Sequence, residues 1–226
     1  MCITKIESVC KRPLNTIVYE NIKKAIVSGS ITPGTRLTET KISKQLGVST
    51  TPVREAFRRL ESERLLKNIP YKGAIVQELS TKEIEEVYQC RLALEVLAIE
   101  IVIEEIDRKG IVSLRRLVEE SKQYNDFPNY ERINSAIHNK ILSYTQNDTL
   151  KGMLKQLHEV VYHNRSMYSL SEKRRIENYE EHLRIVEALE SRNVQEAKQS
   201  MKKHIENAYH YIKNKINERH QKCVEN

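Results

Sequence analysis

Two groups of side chains in this sequence have types suited to chemistry. Asn134 and His138 stand four residues apart, so a helix would place them on one face. His182 and His204 follow at longer range. Imidazole nitrogens and amide oxygens are both donors to divalent metals. The H-x21-H spacing of the last two is no metal motif, and a lone helical histidine is ordinarily a surface or satisfied core residue. The second group is cationic. Arg54 and Arg58 follow a Gly47-Val48-Ser49 turn, and Lys72-Gly73 marks a loop tip. Guanidinium and ammonium groups placed there are donors for phosphates and base edges. Arg91 stands four residues before Glu95, the spacing of an intrahelical ion pair. Tyrosines number eleven against two phenylalanines, and Tyr162, Tyr168 and Tyr179 are candidate pocket hydroxyls, although each alone reads first as packing.

The elements that must position these groups can be read from periodicity. In the N-terminal third, Ile17, Val18, Ile22, Ala25 and Ile26 make a helical stripe, stopped at Gly29. Thr32-Pro33-Gly34-Thr35 is a turn. A short helix follows over about 39–46. Ser49 is placed to cap a third helix to about Arg64, with Pro52 in its first turn and Val53, Ala56, Phe57 and Leu60 on one face. Extended stretches at 65–69 and 73–76 flank Pro70-Tyr71-Lys72-Gly73, which predicts a hairpin. Helix, helix, turn, helix, hairpin is the order of a winged helix-turn-helix, whose post-turn helix enters the major groove of DNA.

Charge agrees with that order. Of the net +7, residues 1–77 carry 14 Lys/Arg against 6 Asp/Glu, whereas residues 78–226 carry 24 against 25. A positive excess confined to one segment favours a polyanion such as nucleic acid. No run of eighteen apolar residues suggests a membrane span, and residues 1–11 lack the apolar stretch of a signal peptide. Cys2, Cys10, Cys90 and Cys223 form no C-x-x-C pair. Reduced thiols and a cytoplasmic location are the expectation.

The rest of the chain predicts six helices. Ser80 and Glu83 form a capping box, with Leu79 and Ile84 as a staple, for a helix to about Lys109 that stops at Gly110. Further helices are expected over about 111–124, 129–145 and 149–168. A fifth is expected from a Ser169/Glu172 capping box to about Ser191, and a sixth from Asn193 to about Asn217. The fold class is therefore mainly α: a winged helix-turn-helix over 1–77, a six-helix antiparallel bundle over 78–218 and a tail over 219–226.

Three ordered runs resemble the GntR family of bacterial regulators: Ile26-Val27-Ser28-Gly29, Pro33-Gly34-Thr35-Arg36-Leu37, and Leu46 through Ala56, reading LGVSTTPVREA. The resemblance implies DNA contacts at Thr40, Ser49, Thr50, Thr51, Arg54 and Gly73. Thr50 stands where the family usually has arginine, so one guanine-reading guanidinium is missing. Arg64 stands where glycine often ends the recognition helix. The C-terminal part resembles the FCD ligand-binding domain of the FadR subfamily, and six helices resemble its VanR-like branch. Arg91-Leu92-Ala93-Leu94-Glu95, Asn134-Ser135-Ala136-Ile137-His138, the run Glu181 to Leu189, and Met201 to Ile205 carry the likeness.

That resemblance implies a divalent metal (zinc, nickel or manganese) held by Asn134, His138, His182 and His204. It also implies an effector pocket lined by Arg91, whose guanidinium suits a carboxylate. Many relatives have aspartate where Asn134 stands, so the expected site adds no ligand charge. His158, His163, His210 and His220 match no ligand position. The expected function is a homodimeric transcription regulator, a repressor by family habit. It would bind a palindromic double-stranded operator under control of a small organic acid. A metal-dependent hydrolytic enzyme with an accessory nucleic-acid-binding domain is the alternative, although no general base is marked beside the histidines.

Overall fold

A computed structural model describes residues 12–27, 29–70, 72–166 and 170–224. Cys2, Cys10, Tyr71, Tyr168 and Ser169 lie outside the described residues, as do the side chains of His163, His220 and Cys223. The chain divides into two compact units, up to Glu78 and from Leu79. Among the described residues, no helix is long and apolar enough to cross a membrane.

The first unit is built on three helices, α1 (Leu14–Val27), α2 (Glu39–Leu46) and α3 (Thr50–Ser62). Val18, Ile22 and Ile26 recur every four residues and are buried against Val53, Phe57 and Leu60 of α3. Thr38 caps α2 by accepting from the Lys41 amide, and Gly47 ends it at φ +65. Three antiparallel strands complete the unit: β1 (Arg36–Leu37), β2 (Leu66–Ile69) and β3 (Gly73–Val76), in the order β1-β3-β2. The hairpin lies where expected, in the register Leu66↔Val76 and Ile69↔Gly73. The two-residue β1 is too short for any alternation to announce it.

Two backbone positions hold this unit together at a cost. Gly73 has φ +89, and a Cβ there would lie 2.3 Å from the Leu37 carbonyl oxygen. Only glycine lets β3 pass β1 so closely. Arg64 sits just beyond α3 at φ +57, while the Leu65 amide donates back to Leu60. This is the left-handed helix stop that glycine usually serves, here taken by an exposed arginine at an expected strain of about 1–2 kcal/mol.

The second unit holds α4 (Thr81–Glu105), α5 (Arg108–Ser121), α6 (Phe127–Leu142), α7 (Asp148–Ser166), α8 (Glu172–Glu190) and α9 (Val194–Val224). Helix α4 packs along α9 and α7, α8 against α9 and α5, and α5 against α6. The Ser80/Glu83 capping box forms as expected.

Three boundaries differ from expectation. The first helix ends at Glu105 rather than Lys109, because the Asp107 carboxylate accepts from the Gly110 amide and starts α5. Gly110 therefore lies inside a helix, where a Cβ would collide with the Tyr144 ring. Ser171, not Ser169, caps α8 by accepting from the Arg174 amide. The last helix runs on to Val224, through the segment expected to be a tail.

The two strained positions predict opposite outcomes. Gly73→Ala should lower the denaturation midpoint of the full chain by forcing β1 from β3. Arg64→Gly should stabilise it by about 1 kcal/mol. Melts followed by circular dichroism check both signs.

Candidate functional site

The second unit buries its chemistry. His138 on α6, His182 on α8 and His204 on α9 are each 2 % exposed. Their donor nitrogens lie within 4.8 Å of one another. The rings of His182 and His204 are 4.5 Å apart, and that of His138 is 5.2 Å from His204. Three helices from distant parts of the sequence thus converge on one point.

A hydrogen bond orients one ring: His204 Nδ1 is 2.9 Å from Glu181 Oε2. His138 Nδ1 lies 3.1 Å from Glu95 Oε1, close but not aligned for a hydrogen bond. Each ring turns its Nε2 inward, and these two nitrogens are 3.2 Å apart. Nitrogens bound at about 2.0–2.1 Å to one ion stand roughly 2.8–3.4 Å apart, from an octahedral to a tetrahedral edge. His182 Nε2 is buried without a hydrogen-bond partner among the described residues. Burial depresses the His138 pKa to about 4. It also holds His182 and His204 well below the usual range, aided by neighbouring imidazoles. All three rings are therefore neutral near pH 7, the state a metal ligand requires. In donor type and geometry, the histidines fit a divalent ion.

Asn134 fits less well. It is buried one turn before His138 on α6, but its amide nitrogen donates to Glu131 at 3.1 Å. Its oxygen accepts from Asn178 at 3.3 Å. The amide is committed to other side chains.

Charged residues surround the cluster in pairs. Arg91 Nε is 3.3 Å from Glu95, Arg165 Nη2 is 3.2 Å from Glu131, and Arg174 grips both oxygens of Glu181 at 2.7 and 3.0 Å. All six are buried. Burial alone would raise the Glu95 pKa, but His138 and His158 outweigh it and hold the carboxylate well below its usual range. His158, half-buried on α7, lies 2.7 Å from the same Glu95 oxygen. It belongs to the layer behind the ligands, not to the surface.

Arg91 is the residue expected to meet an effector. It does pair with Glu95, and its Nη2 lies 3.3 Å from His138 Nε2. Its Nη1 is buried with no hydrogen-bond partner among the described residues. Of the tyrosines, Tyr162 is near enough to Glu131 to feel its charge. Tyr179 donates to Glu119 of α5 at 2.7 Å.

Sequence inspection left out Glu131, Arg165, Arg174, Asn178 and Glu181. A signal was present. Arg174, Asn178, Glu181 and His182 recur at helical spacing on α8, as Glu131, Asn134 and His138 do on α6. Such a stripe ordinarily marks a solvated face, whereas here it faces inward.

In the first unit, Thr40, Ser49, Thr51 and Arg54 are exposed, and Thr50 and Gly73 are half-buried. Ser49 precedes α3 in extended conformation and makes no side-chain cap hydrogen bond. Arg54 Nε and Nη2 are held by Glu39 at 2.8–3.0 Å, leaving Nη1 turned outward from that pair. A groove of about 600 Å³ runs between α3 and the hairpin, lined by Arg36, Thr40, Arg54, Arg58, Lys72 and Gly73 among others. It is open, positively charged and next to the helix that follows the turn.

Comparison with known proteins agrees with both units. Residues 14–76 match the bacterial regulatory proteins of the gntR family, and residues 86–207 match the FCD domain. The chain is 32% identical to the HTH-type transcriptional regulator YdhC of Bacillus subtilis over 204 residues, 88% of this chain and 91% of that one. It is 32% identical to the gluconate operon transcriptional repressor of the same organism over 176 residues, 76% and 70% of the two chains. The structure of Escherichia coli McbR/YncC has the same fold, with a TM-score of 0.76 over 91% of this chain and all of that one, at 23% identity. These matches are with regulators and leave a hydrolytic enzyme without support. The chain belongs to the GntR family of bacterial transcription regulators, with an FCD domain C-terminal to its DNA-binding helix-turn-helix.

Proposed function

We propose that this regulator is a homodimeric repressor whose FCD unit holds a divalent metal ion and senses a small organic anion. The observation that carries the metal reading is the pair of inward Nε2 atoms at 3.2 Å, beside the unpartnered Nε2 of His182. With each Nδ1 turned to a carboxylate, the two Nε2 lone pairs lie close together, that of His138 met by the Arg91 Nη2 donor at 3.3 Å. A cation between them removes that repulsion. His138, His182 and His204 would be the ligands, and Asn134 would join only by giving up Asn178.

Charge supports an anionic effector. The three buried arginines balance the three buried glutamates, and the imidazoles are neutral. A divalent ion therefore adds buried positive charge that nothing in the protein offsets. A carboxylate reaching both the ion and Arg91 Nη1 would offset it. An anion that binds one dimer arrangement better shifts operator affinity by the same differential free energy. Repression follows the named relatives, of which the gluconate operon protein is a repressor. DNA binding would use α3 in the major groove of a palindromic operator, with Thr40, Ser49, Thr50, Thr51, Arg54 and the Gly73 hairpin at the interface.

Three outcomes are expected. Operator affinity should fall steeply with salt, and Arg54→Ala should cost about 1–3 kcal/mol in a gel-shift titration, while leaving Glu39 unpaired beside phosphates. A footprint showing no preferred site in the protein's own upstream DNA would contradict this. Purified protein should carry zinc, nickel or manganese by elemental analysis. Asn134→Asp should destabilise the metal-free protein, because a second carboxylate then faces Glu131, and should make the melting temperature depend more strongly on added zinc. In calorimetry, organic acids that bind should lose affinity on chelation and on Arg91→Ala; binders that are neutral and indifferent to chelator would refute the anion model.

A further inference from the structure

The histidine cluster has a second layer with a specific job. We infer that Glu95 and Glu181 are positioning residues, each holding one imidazole as its Nδ1–H tautomer so that Nε2 is the atom presented to an ion. The inference rests on the metal reading for its purpose, but not for its geometry.

The two arrangements are alike although they come from different helices. On one side, Glu95 of α4 faces His138 Nδ1 at 3.1 Å. On the other, Glu181 of α8 faces His204 Nδ1 at 2.9 Å. A carboxylate can only accept, so His204 Nδ1 carries the hydrogen. At His138, Nδ1 makes no aligned hydrogen bond, but the Arg91 Nη2 donor 3.3 Å from Nε2 makes Nε2 the acceptor and leaves the hydrogen on Nδ1, beside Glu95. Each glutamate is itself clamped by an arginine, Arg91 for Glu95 and Arg174 for Glu181. Each carries a further donor: His158 at 2.7 Å on Glu95, and Asn207 Nδ2 at 2.7 Å on Glu181. Both oxygens of Glu181 are engaged by these groups. On Glu95 all three contacts fall on Oε1, and they fix that oxygen beside the His138 ring.

This separates the layer from the competing view of Glu95, His138 and His158 as a second metal site, which their clustering also permits. In that view His138 Nδ1 would be bare and aimed at a cation. However, Arg91 already brings positive charge to the same Glu95 oxygen. Outer carboxylates of this kind fix ring orientation and raise ligand basicity, and their loss typically lowers metal affinity about 10- to 100-fold.

The test is long-range proton–nitrogen NMR of the histidine rings in full-length, metal-free protein, followed by zinc titration of the wild type, Glu95→Gln and Glu181→Gln. In the wild type, His138 and His204 should appear as neutral Nδ1–H tautomers before any zinc is added. Glutamine is nearly isosteric but can present its NH₂ instead. Each variant should therefore release the tautomer of its own ring alone and weaken zinc binding about 10- to 100-fold. A purely structural role would move affinity or stability without a ring-specific change. Nε2–H tautomers in the wild type, or zinc shifting His138 Nδ1 as a ligand, would overturn the inference. Fixed Nδ1–H tautomers in a protein that binds no zinc would overturn the metal reading and leave the positioning assignment standing.

Discussion

Burial of charge in the second unit is the constraint on which the rest of that unit depends. Taking an ion out of water costs several kcal/mol, and the cost is tolerable only when every ion is paired and hydrogen-bonded. Arg91 meets Glu95 within α4 and Arg174 meets Glu181 within α8, while Arg165 and the histidines carry the network across helices. Glu95 on α4 reaches His138 on α6 and His158 on α7; Arg165 on α7 reaches Glu131 on α6; Glu181 on α8 reaches His204 and Asn207 on α9. Five helices are tied through one polar centre, with aliphatic residues such as Ile99, Ile137, Ile185 and Ile205 in the surrounding core. Removing any one partner would leave a buried, uncompensated charge. The histidine geometry inherits its rigidity from this network.

The first unit solves a different problem. Its core is apolar and small, so backbone geometry does more of the positioning. Gly73 admits the close approach of β3 to β1, and the left-handed Arg64 turns the chain from α3 into β2. These two turns set the hairpin beside the helix that carries Arg54 and Arg58. Glu39 then restrains Arg54 by a forked contact, so one face of the guanidinium is fixed before DNA arrives. The strain at Arg64 is a cost that a glycine at this position would avoid.

Much of this was legible in the residues. The helices of the first unit, the hairpin and the capping boxes follow from apolar periodicity and cap chemistry, because in those elements local preference and tertiary contact agree. The short β1 carried no periodic signal. The break between α4 and α5 was misplaced because Gly110 looked like a helix stop. Packing against Tyr144 explains why a glycine stands within a helix there. The histidines were findable only through likeness to a family, since their spacing means nothing until α6, α8 and α9 are packed. Their polar surroundings were hidden by a reversed pattern. Stripes such as Arg174, Asn178 and Glu181 have the spacing of a solvated face and point inward. Asn134 was expected as a ligand from its place before His138, but periodicity could not show that Asn178 and Glu131 already engage its amide.

The proposed sensor requires a cation lying among three neutral imidazoles. Anomalous diffraction from crystals of the protein grown with zinc, recorded on both sides of the zinc absorption edge, tests it most directly. The predicted result is one strong peak in the FCD unit, at about 2.0–2.1 Å from the Nε2 atoms of His138, His182 and His204. A peak between Glu95 and His158 instead, or none in the FCD unit, would contradict it.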